Sequence, residues 1–215
     1  MATRTYKRMK INTFKTGRFR KFARSITGRF PNQYILGSRT FIRSPKRRDW
    51  RAWVDLRRNS YEFLKEWEPI WEIKDCNKAA YMRQLRIQKF KAVNDQAYTF
   101  LCFEMQQELL LGGINISNIQ RGVAQTANIG YWLGEEYTNK GYMKESLEAM
   151  LPFLFEQMKF NRLQAFTLPE NIPSRNLLNK LKFKEEGLIR KCMKINDVWR
   201  DHVLYSKLAQ EHNSS

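Results

Sequence analysis

The apolar pattern of residues 127–168 changes from strand to helix and back to strand, and this change limits the fold more than any other feature. Ala127–Leu133 is rich in β-formers, and Met143–Met158 then places apolar residues at helical spacing. Leu163–Leu168 returns to strand composition. The pattern predicts a parallel strand, loop, helix, strand unit. Pro152 lies inside the helical stretch and is expected to kink or divide it.

The other segments add antiparallel strands and further helices around this unit. Ala97–Phe103 and Leu109–Ile116 are β-rich and joined by a polar connection, which predicts a hairpin. Helices are predicted over residues 49–58, 78–90 and 173–181, and strands over residues 39–43, 188–195 and 198–208. In the aromatic-rich stretch 60–71, a helix is predicted to end at Pro69. The fold class is therefore a mixed α/β (α+β) domain.

Basic residues are concentrated at one end of the chain. Residues 1–48 contain 15 of the 39 Lys and Arg residues and no acid, whereas the rest carries 24 bases and 21 acids. Residues 1–37 are predicted to form a basic, flexible arm, and residues 38–210 the folded domain. Such an arm is attracted to phosphate-rich surfaces, so nucleic acid is the first candidate partner. A mitochondrial presequence and a solvated basic tail are the alternative interpretations.

The chain lacks the residue sets of several protein classes. Its three cysteines are isolated and its two histidines are His202 and His212, too few for a zinc site or a Ser-His-Asp hydrolase. No apolar run approaches the roughly 20 residues that cross a bilayer, and no secretory h-region is present. We therefore expect no metal, no membrane span, a reducing compartment and a cytoplasmic location.

The loop Gly134-Glu-Glu-Tyr-Thr-Asn-Lys-Gly-Tyr-Met-Lys-Glu-Ser146 joins the central strand to the helix. The first amides of a helix have no intrahelical acceptor and lie at the positive end of its dipole, so this junction can hold an anion. Gly141 would let phosphate oxygens approach the backbone, and Lys140 adds a charge. Neither the P-loop nor the dinucleotide fingerprint occurs. Taken alone, the loop is more simply explained as a turn before an amphipathic helix.

Motifs around the loop resemble those of one enzyme family. Thr138-Asn-Lys-Gly-Tyr-Met143 resembles the pyrophosphate pattern Q/R-x-x-G-x-G/A of GNAT N-acetyltransferases, with Thr138 replacing Gln or Arg and Met143 replacing a small residue. Gly141-Tyr-Met-Lys-Glu-Ser-Leu147 is similar to G-x-M-x-E-A/S-L of the RimJ-like ribosomal-protein-alanine N-acetyltransferases.

The resemblance covers about residues 38–208. Further segments match motifs of the RimJ-like group in the same order: Phe63-Leu-Lys-Glu-Trp-Glu-Pro69, Gln120-Arg-Gly122, Ile129-Gly-Tyr131, Asn161-Arg162, Pro169-Glu-Asn-Ile-Pro-Ser174, Glu186-Gly187 and Trp199-Arg-Asp-His-Val-Leu204. Lys182 stands where the group usually has glycine, which is a departure at a predicted turn.

The resemblance implies a GNAT fold, with a mostly antiparallel sheet, a splayed parallel strand pair and flanking helices. It also implies acetyl-CoA as co-substrate in the cleft between the splayed strands. The backbone of Gly130, Tyr131 and Trp132 would pair with the pantetheine arm, and Asn171 would hydrogen-bond it. The implied pyrophosphate site comprises Thr138, Asn139, Lys140, Gly141, Tyr142 and Met143.

Candidate catalytic residues follow from the same resemblance and from simple chemistry. Ser174 is a candidate acid for the departing thiolate, although Asn171 and Ser174 are also favoured helix caps. Glu68 is the candidate base, because apolar neighbours can raise the pKa of a carboxyl, and Trp67 with Glu68 would contact the acceptor. The alternative for Glu68 is a surface acid at a helix end. Some relatives have a glutamate near Met193, where this chain has no base.

The segment Trp199–His202 is interpreted as structural, with Asp201 and His202 pairing locally. The expected function is acetyl transfer from acetyl-CoA to the N-terminal amine of a ribosomal protein, most plausibly at alanine. The arm would then dock onto ribosomal RNA. Two alternatives are an RNA-binding assembly factor that has lost the transfer activity and an acetyltransferase for small amines.

Overall fold

A computed structural model describes residues 34–213 of the chain, so most of the arm predicted over residues 1–37 lies outside the described part. One eight-stranded sheet with the order β1-β2-β3-β4-β5-β6-β8-β7 organises the domain. The strands are β1 (Tyr34–Leu36), β2 (Thr40–Arg43), β3 (Tyr98–Glu104), β4 (Leu110–Gln120), β5 (Thr126–Leu133), β6 (Arg162–Thr167), β7 (Lys184–Ile195) and β8 (Val198–Leu208). The sheet therefore includes Tyr34–Leu36, which the sequence analysis assigned to the arm.

All neighbouring strands pair antiparallel except β5 and β6, which are parallel. The predicted hairpin, β3 with β4, is confirmed, as is the single parallel unit around the central helix. The mixed, mostly antiparallel fold class is confirmed as well. Within residues 34–213, no helix has the length and apolar character needed to cross a membrane.

Helices cover both faces of the sheet. Their bounds are α1 (Trp50–Asn59), α2 (Tyr61–Leu64), α3 (Lys78–Val93), α4 (Tyr142–Pro152), α5 (Ile172–Lys180) and α6 (Ala209–Asn213). Strand β3 shows how the two layers share the sheet. Phe100 and Cys102 join the core under α4, whereas Leu101 and Phe103 join the core under α1 and α3. Alternate side chains of a strand point to opposite faces, so both faces of this strand are buried.

The central helix follows its apolar period, and Pro152 divides it as expected. Helix α4 ends at Pro152 and continues as one π-helical turn, Phe153–Gln157. Proline cannot donate a backbone hydrogen bond, and a π-turn accommodates the resulting break in the ladder. Met150 and Leu154, on either side of the break, are fully buried. The apolar stripe thus stays on the sheet through the change of helix type.

The helix predicted in the stretch 60–71, with its end at Pro69, is largely wrong. Only Tyr61–Leu64 is helical, and the chain then turns through Trp67, whose amide donates to the carbonyl of Leu64 at 3.0 Å. Aromatic residues are weaker helix formers, and Pro69 disfavours helical backbone in the residue before it. The segment instead folds back so that Tyr61 and Trp71 pack edge to face, with ring centroids 4.8 Å apart.

Both outer strands of the sheet are poor templates for further pairing. Strand β1 has three residues. Strand β7 is longer and largely exposed, but its register with β8 shifts between Glu185 and Gly187 and again between Ile189 and Met193. Such irregularities bend and twist a strand. The sheet therefore ends in one short strand and one irregular strand.

Glu145, in the first turn of α4, ties that helix to the start of β2. One carboxylate oxygen accepts from the amide of Arg39, from the amide of Thr40 at 2.9 Å and from the Thr40 hydroxyl at 3.2 Å. The other oxygen accepts from Arg39 Nε at 2.9 Å. Burial acts to raise the pKa of Glu145, but these hydrogen bonds outweigh it and lower the pKa. The ionised carboxylate is thus the form that the fold stabilises.

We expect Glu145→Gln to lower the free energy of unfolding at neutral pH by about 1–3 kcal/mol, because hydrogen bonds to a charged group are lost. The folded pKa is below the unfolded one of about 4.3, so this stabilisation is present above that value and disappears as the pH falls through the folded pKa. Urea unfolding of both proteins at neutral and acidic pH measures the difference. The matched control is Glu148→Gln, which removes an exposed pair with Lys144 on the same helix. Equal losses in the two variants would contradict the role given to Glu145.

Candidate functional site

A cleft opens where the two parallel strands of the sheet diverge. Strands β5 and β6 pair over three positions, from Thr126 with Arg162 to Asn128 with Gln164. Beyond that point β5 stays paired with β4 and β6 stays paired with β8. Within residues 34–213, the stretch 130–132 therefore has no strand partner on its β6 side. Backbone polar groups normally find partners, so this free edge is suited to an extended ligand.

Gly130, Tyr131 and Trp132, which were predicted to border the pantetheine arm, lie along this free edge. Gly130 is exposed, and a Cβ built there would meet no atom within 4 Å, so the cleft is open at this position. The Trp132 indole packs away from the edge over Gly113 of β4, where a Cβ would lie 2.7 Å from Trp132 Nε1. The side chain of Trp132 thus belongs to the core while its backbone borders the cleft.

The loop after β5 has the geometry of an anion site at a helix N-terminus. Residues Glu135–Tyr137 form one 3-10 turn, and Gly141 is the N-cap of α4 with φ +81°. Gly141 has no side chain that could cap this helix, and among residues 34–213 no side chain accepts from the first amides of α4. These amides are therefore available to a ligand. Asn139 also has a positive φ of 57°, which turns the loop back toward the helix. The positive φ explains the glycine at position 141, because other residues rarely adopt that backbone.

Two side chains of the loop act locally. Thr138 Oγ1 donates to the carbonyl of Glu135 at 2.8 Å, and Lys140 Nζ lies 5.9 Å from the Tyr137 ring centroid. Arg39, which the sequence analysis did not select, lies against the same loop. Its guanidinium donates to the Lys140 carbonyl at 3.3 Å and stacks 4.8 Å from the Tyr142 ring centroid. The loop therefore has one lysine and one arginine beside its free amides.

Tyr131 and Ser174 meet across the cleft. The Tyr131 hydroxyl lies 2.8 Å from Ser174 Oγ, which joins β5 to the first turn of α5. Burial raises the pKa of Tyr131 to about 12, although its hydrogen bond with Ser174 acts in the opposite direction. The phenol therefore stays protonated at neutral pH. The Tyr131 side chain was not selected as a polar site group, because only its backbone was expected to act.

Asn171 caps α5, which is the structural alternative that its sequence position allowed. Its side-chain oxygen accepts from the Ser174 amide at 3.1 Å. This bond leaves the amide nitrogen of the side chain as a donor beside the cleft. Asn171 and Ser174 are thus brought together at one helix start, on the β6 side of the cleft.

Glu68 has a different environment from the one expected. Both carboxylate oxygens of Glu68 accept from the Arg57 guanidinium, and the bond to Oε1 is 3.2 Å long. Oε2 also accepts from Trp71 Nε1 at 3.1 Å. Arg57 in turn lies 4.5 to 5.5 Å from the ring centroids of Trp53, Trp71 and Trp132. Glu68 was expected to have apolar neighbours. Instead, it is paired with the Arg57 guanidinium, which packs against three tryptophan rings. Trp132 connects this cluster to β5, while Trp67 beside Glu68 is half-buried.

The last hairpin is held by local bonds, but the expected pairing of Asp201 with His202 is not formed. Asp201 accepts from the Lys191 amide at 2.8 Å, and His202 Nδ1 lies 3.2 Å from the Arg200 carbonyl. His202 is buried. Met193 pairs with Arg200 in the β7–β8 ladder.

Lys182 adopts φ +59° just after α5, the backbone conformation that favours glycine at a helix end.

No group of three or more metal-ligating side chains occurs among residues 34–213. Cys76 and Cys102 are buried thiols, and burial raises the pKa of Cys102 to about 12. The polar groups described at the cleft are its backbone amides and the Tyr131–Ser174 pair, and the Arg57–Glu68 pair is linked to β5 through Trp132.

Comparisons with known proteins agree with this geometry. A family model described as an acetyltransferase (GNAT) domain matches residues 39–184. The Bacillus subtilis (strain 168) protein YjcK, a probable N-acetyltransferase, is 30% identical over 179 residues, which cover 81% of this chain and 96% of that protein. The ribosomal protein uS5-alanine N-acetyltransferase of Escherichia coli (strain K12) is 30% identical over 175 residues, covering 81% of this chain and 90% of that protein.

A solved structure has the same architecture. RimJ of Mycobacterium smegmatis in complex with CoA-disulfide superposes with a TM-score of 0.81 at 25% sequence identity, covering 86% of this chain and 91% of that one. The shared architecture thus extends over most of both chains.

Proposed function

The chain belongs to the GNAT acetyltransferase family, and from that premise we propose that it transfers acetyl from acetyl-CoA to the N-terminal amine of a ribosomal protein. The observation that carries the proposal is the free edge at residues 130–132 next to the uncapped start of α4. An extended pantetheine chain fits the first and a pyrophosphate fits the second. Their adjacency along one strand and its loop suits a single ligand with both parts.

The chain's own groups divide the binding of acetyl-CoA. The amides of residues 139–143 hold the pyrophosphate, with Lys140 and Arg39 adding positive charge beside them. Backbone groups of Gly130, Tyr131 and Trp132 pair with the pantetheine arm, and one of their amides polarises the thioester carbonyl. The free donor of Asn171 reaches the same arm. Bound acetyl-CoA supplies the activated acyl group.

Ser174 and Tyr131 serve the sulfur side of the cleft. A thiol has a pKa of about 8.5, so the departing thiolate is a modest base and needs a hydrogen-bond donor more than a strong acid. Tyr131 Oη and Ser174 Oγ lie 2.8 Å apart, and either hydroxyl can donate to the other. When the Tyr131 phenol, protonated at neutral pH, is the donor, the Ser174 hydroxyl proton is free to point at the sulfur. The pair thus forms a short donor relay.

Glu68 serves the acceptor side in this proposal. A carboxylate offers about four acceptor positions, and Arg57 and Trp71 take three of them. One position stays available for a proton passed through water from the amine. Little base strength is required, because a free α-amino group has a pKa of about 7.7–8.0. Trp67 would contact the residue that carries the amine.

The choice of acceptor rests on the relatives. The E. coli relative is named for transfer to alanine of ribosomal protein uS5, and its similarity covers 81% of this chain. We therefore assign N-terminal alanine of a ribosomal protein as the acceptor of this chain.

The direct test presents acetyl-CoA with peptides that begin with Ala, Ser or Met, and mass spectrometry locates the acetyl group. We expect transfer to the α-amine, fastest for Ala. The rate at limiting peptide should rise with pH through the α-amino pKa of about 7.7–8.0. Transfer to a lysine side chain, whose rate would keep rising toward a pKa of about 10.4, or no transfer, would refute the proposal.

The pyrophosphate loop is tested by Gly141→Ala. An alanine at this position is strained by the backbone φ of +81°, although its Cβ would make only an ordinary contact of 3.4 Å with the Arg39 guanidinium. We expect the loop to relieve this strain by shifting its amides. We expect the acetyl-CoA dissociation constant to rise about tenfold or more, as for the loss of one charge-assisted hydrogen bond. The control is Gly122→Ala, which has a similar φ of +68° in open space outside the cleft. Calorimetry that gives both variants the same affinity would show that the loop is only a turn.

The catalytic assignments are tested by Ser174→Ala and Glu68→Gln. We expect each to lower kcat by about 10²-fold or more with a small change in the acetyl-CoA dissociation constant, because each group acts on a proton in the transition state. The control for Ser174 is Arg175→Gln, which leaves the cap by Asn171 in place. If kcat stays at the wild-type level while only the melting temperature falls, both residues are structural.

A further inference from the structure

The helices α1 and α3 carry a concentration of positive charge that acetyl transfer does not use. We call this surface the basic face. Its members are Lys46, Arg47, Arg48, Arg51, Lys78, Arg83, Arg86, Lys89 and Lys91. None of them has a role in the cleft, the pyrophosphate loop or the Tyr131–Ser174 pair.

Helix α3 provides most of the basic face. It has five Lys and Arg residues among 16 and no acid. Arg83, Arg86, Lys89 and Lys91 are exposed, and none of them has an ion pair within residues 34–213. Most other charges of the domain are paired, for example Arg121 with Asp95 and Arg162 with Glu186. Unpaired cations along a helix of about 24 Å can meet several phosphates.

Two apolar side chains on α3, Ile87 and Phe90, are exposed to solvent among these cations. Arg83, Arg86, Ile87 and Phe90 recur at i, i+3, i+4 and i+7, which places them on one face of α3. The buried residues Tyr81 and Leu85 lie on the other face, so this exposed face is not part of the core. Ile87 is 48% exposed and Phe90 66% exposed. An exposed aromatic ring between arginines is a platform on which a nucleobase stacks.

The start of α1 continues the basic face. The Trp50 ring lies between Arg51 and Lys78, 5.2 and 5.0 Å from its centroid. The Tyr81 hydroxyl donates to the Lys46 carbonyl at 2.7 Å, which fixes that segment against α3. Asp49, the acid in this segment, is fully engaged by Arg43 at 2.6 and 2.7 Å. The neighbouring cations are therefore not neutralised by it.

A groove of about 280 Å³ runs beside α3, between that helix and strands β3 and β4. Gln84, Gln88 and Asn115 line it with amides, Thr99 and Ser117 with hydroxyls, and Lys91 with a charge. Amide and hydroxyl groups match the hydrogen-bonding edges of unstacked bases. The groove thus supplies polar contacts next to the aromatic platform.

The basic arm joins the described fold at the edge of this surface. Residues 1–33 contain 10 Lys and Arg residues and no acid. The first described residue, Tyr34, accepts from Lys46 Nζ at 2.8 Å, so the arm is attached beside a member of the basic face.

We propose that the basic face binds single-stranded RNA, with Arg83 and Arg86 on phosphates, a base stacked on Phe90 and base edges in the groove. A membrane surface fits less well, because interfacial helices insert a broad apolar face and that face of α3 is buried in the domain. The surface is independent of the acetyl-CoA cleft. It would hold the enzyme on an RNA-containing substrate while the cleft acts on an amine.

The test uses the full chain and a fluorescein-labelled oligouridine, with anisotropy measured over a series of KCl concentrations. Arg83→Gln/Arg86→Gln should weaken binding and lower the slope of log K against log salt by about 1.4, which is about 0.7 for each phosphate contact. Phe90→Ala should weaken binding about 5- to 150-fold without changing that slope.

The control is Lys180→Gln/Arg190→Gln, which removes the same charge from α5 and β7. The arm is present in every protein, so differences between the two double variants report the folded surface.

Acetylation of a free peptide and the melting temperature should stay at wild-type values in all variants, which separates this proposal from the one on acetyl transfer. Equal slopes in the two double variants would overturn the proposal, as would an unchanged affinity of Phe90→Ala. Binding to phosphatidylserine vesicles but not to oligouridine would assign the surface to a membrane instead. Cross-linking of RNA to residues 83–91 under ultraviolet light, detected by mass spectrometry, would support it independently.

Discussion

Three residue pairs hold the central parallel strands together, and the cleft depends on where that pairing stops. After Asn128 and Gln164 the two strands follow different neighbours, β4 on one side and β8 on the other. A row of main-chain donors and acceptors is then left in the middle of a sheet, where such groups are normally paired. The loop that leads to the start of α4 follows β5 directly at the end of this gap.

The walls of the gap are held by contacts between residues far apart in the chain. Tyr131 and Ser174 bridge it at one level, and Glu145 anchors the helix that follows the loop to the start of β2. Gly134 lets the chain pass close to α1, because a Cβ there would lie 2.2 Å from Leu56 Cδ1. The position of the loop is thus set from outside as well as by its own residues.

Much of this architecture was predictable from local patterns. The hydrophobic period of residues 143–158 predicted α4 and its division at Pro152, and β-rich runs predicted most strands. Long-range partners were not predictable, because nothing near Glu145 in the chain indicates Arg39, and nothing near Glu68 indicates Arg57 and its three tryptophans. The helix predicted within residues 60–71 failed for a related reason, since Glu68 accepts from the guanidinium of Arg57 in another helix and the Trp71 ring centroid lies 4.5 Å from Arg57.

Asn171 and Lys182 relate in different ways to the family motifs and to the backbone around them. Asn171 satisfies both, because one end of its amide caps a helix and the other end stays available to the cleft. Lys182 differs from the family pattern yet keeps the left-handed backbone that explains glycine in relatives. A lysine in this conformation costs on the order of 1 kcal/mol, which the surrounding packing must offset. The departure therefore changes local energy and leaves the turn intact.

The outer strands of the sheet have a consequence for how copies of this protein behave near one another. Exposed strand edges recruit other chains into aggregates unless they are short, bent or charged. Here β1 is short, and β7 combines register shifts with Lys184, Arg190, Lys191 and Lys194. The outer strands β1 and β7 thus disfavour edge-to-edge association between copies, whereas the unpaired strand edge at residues 130–132 lies inside the cleft. A crowded nascent assembly, rich in half-folded chains, is a setting in which that contrast would matter.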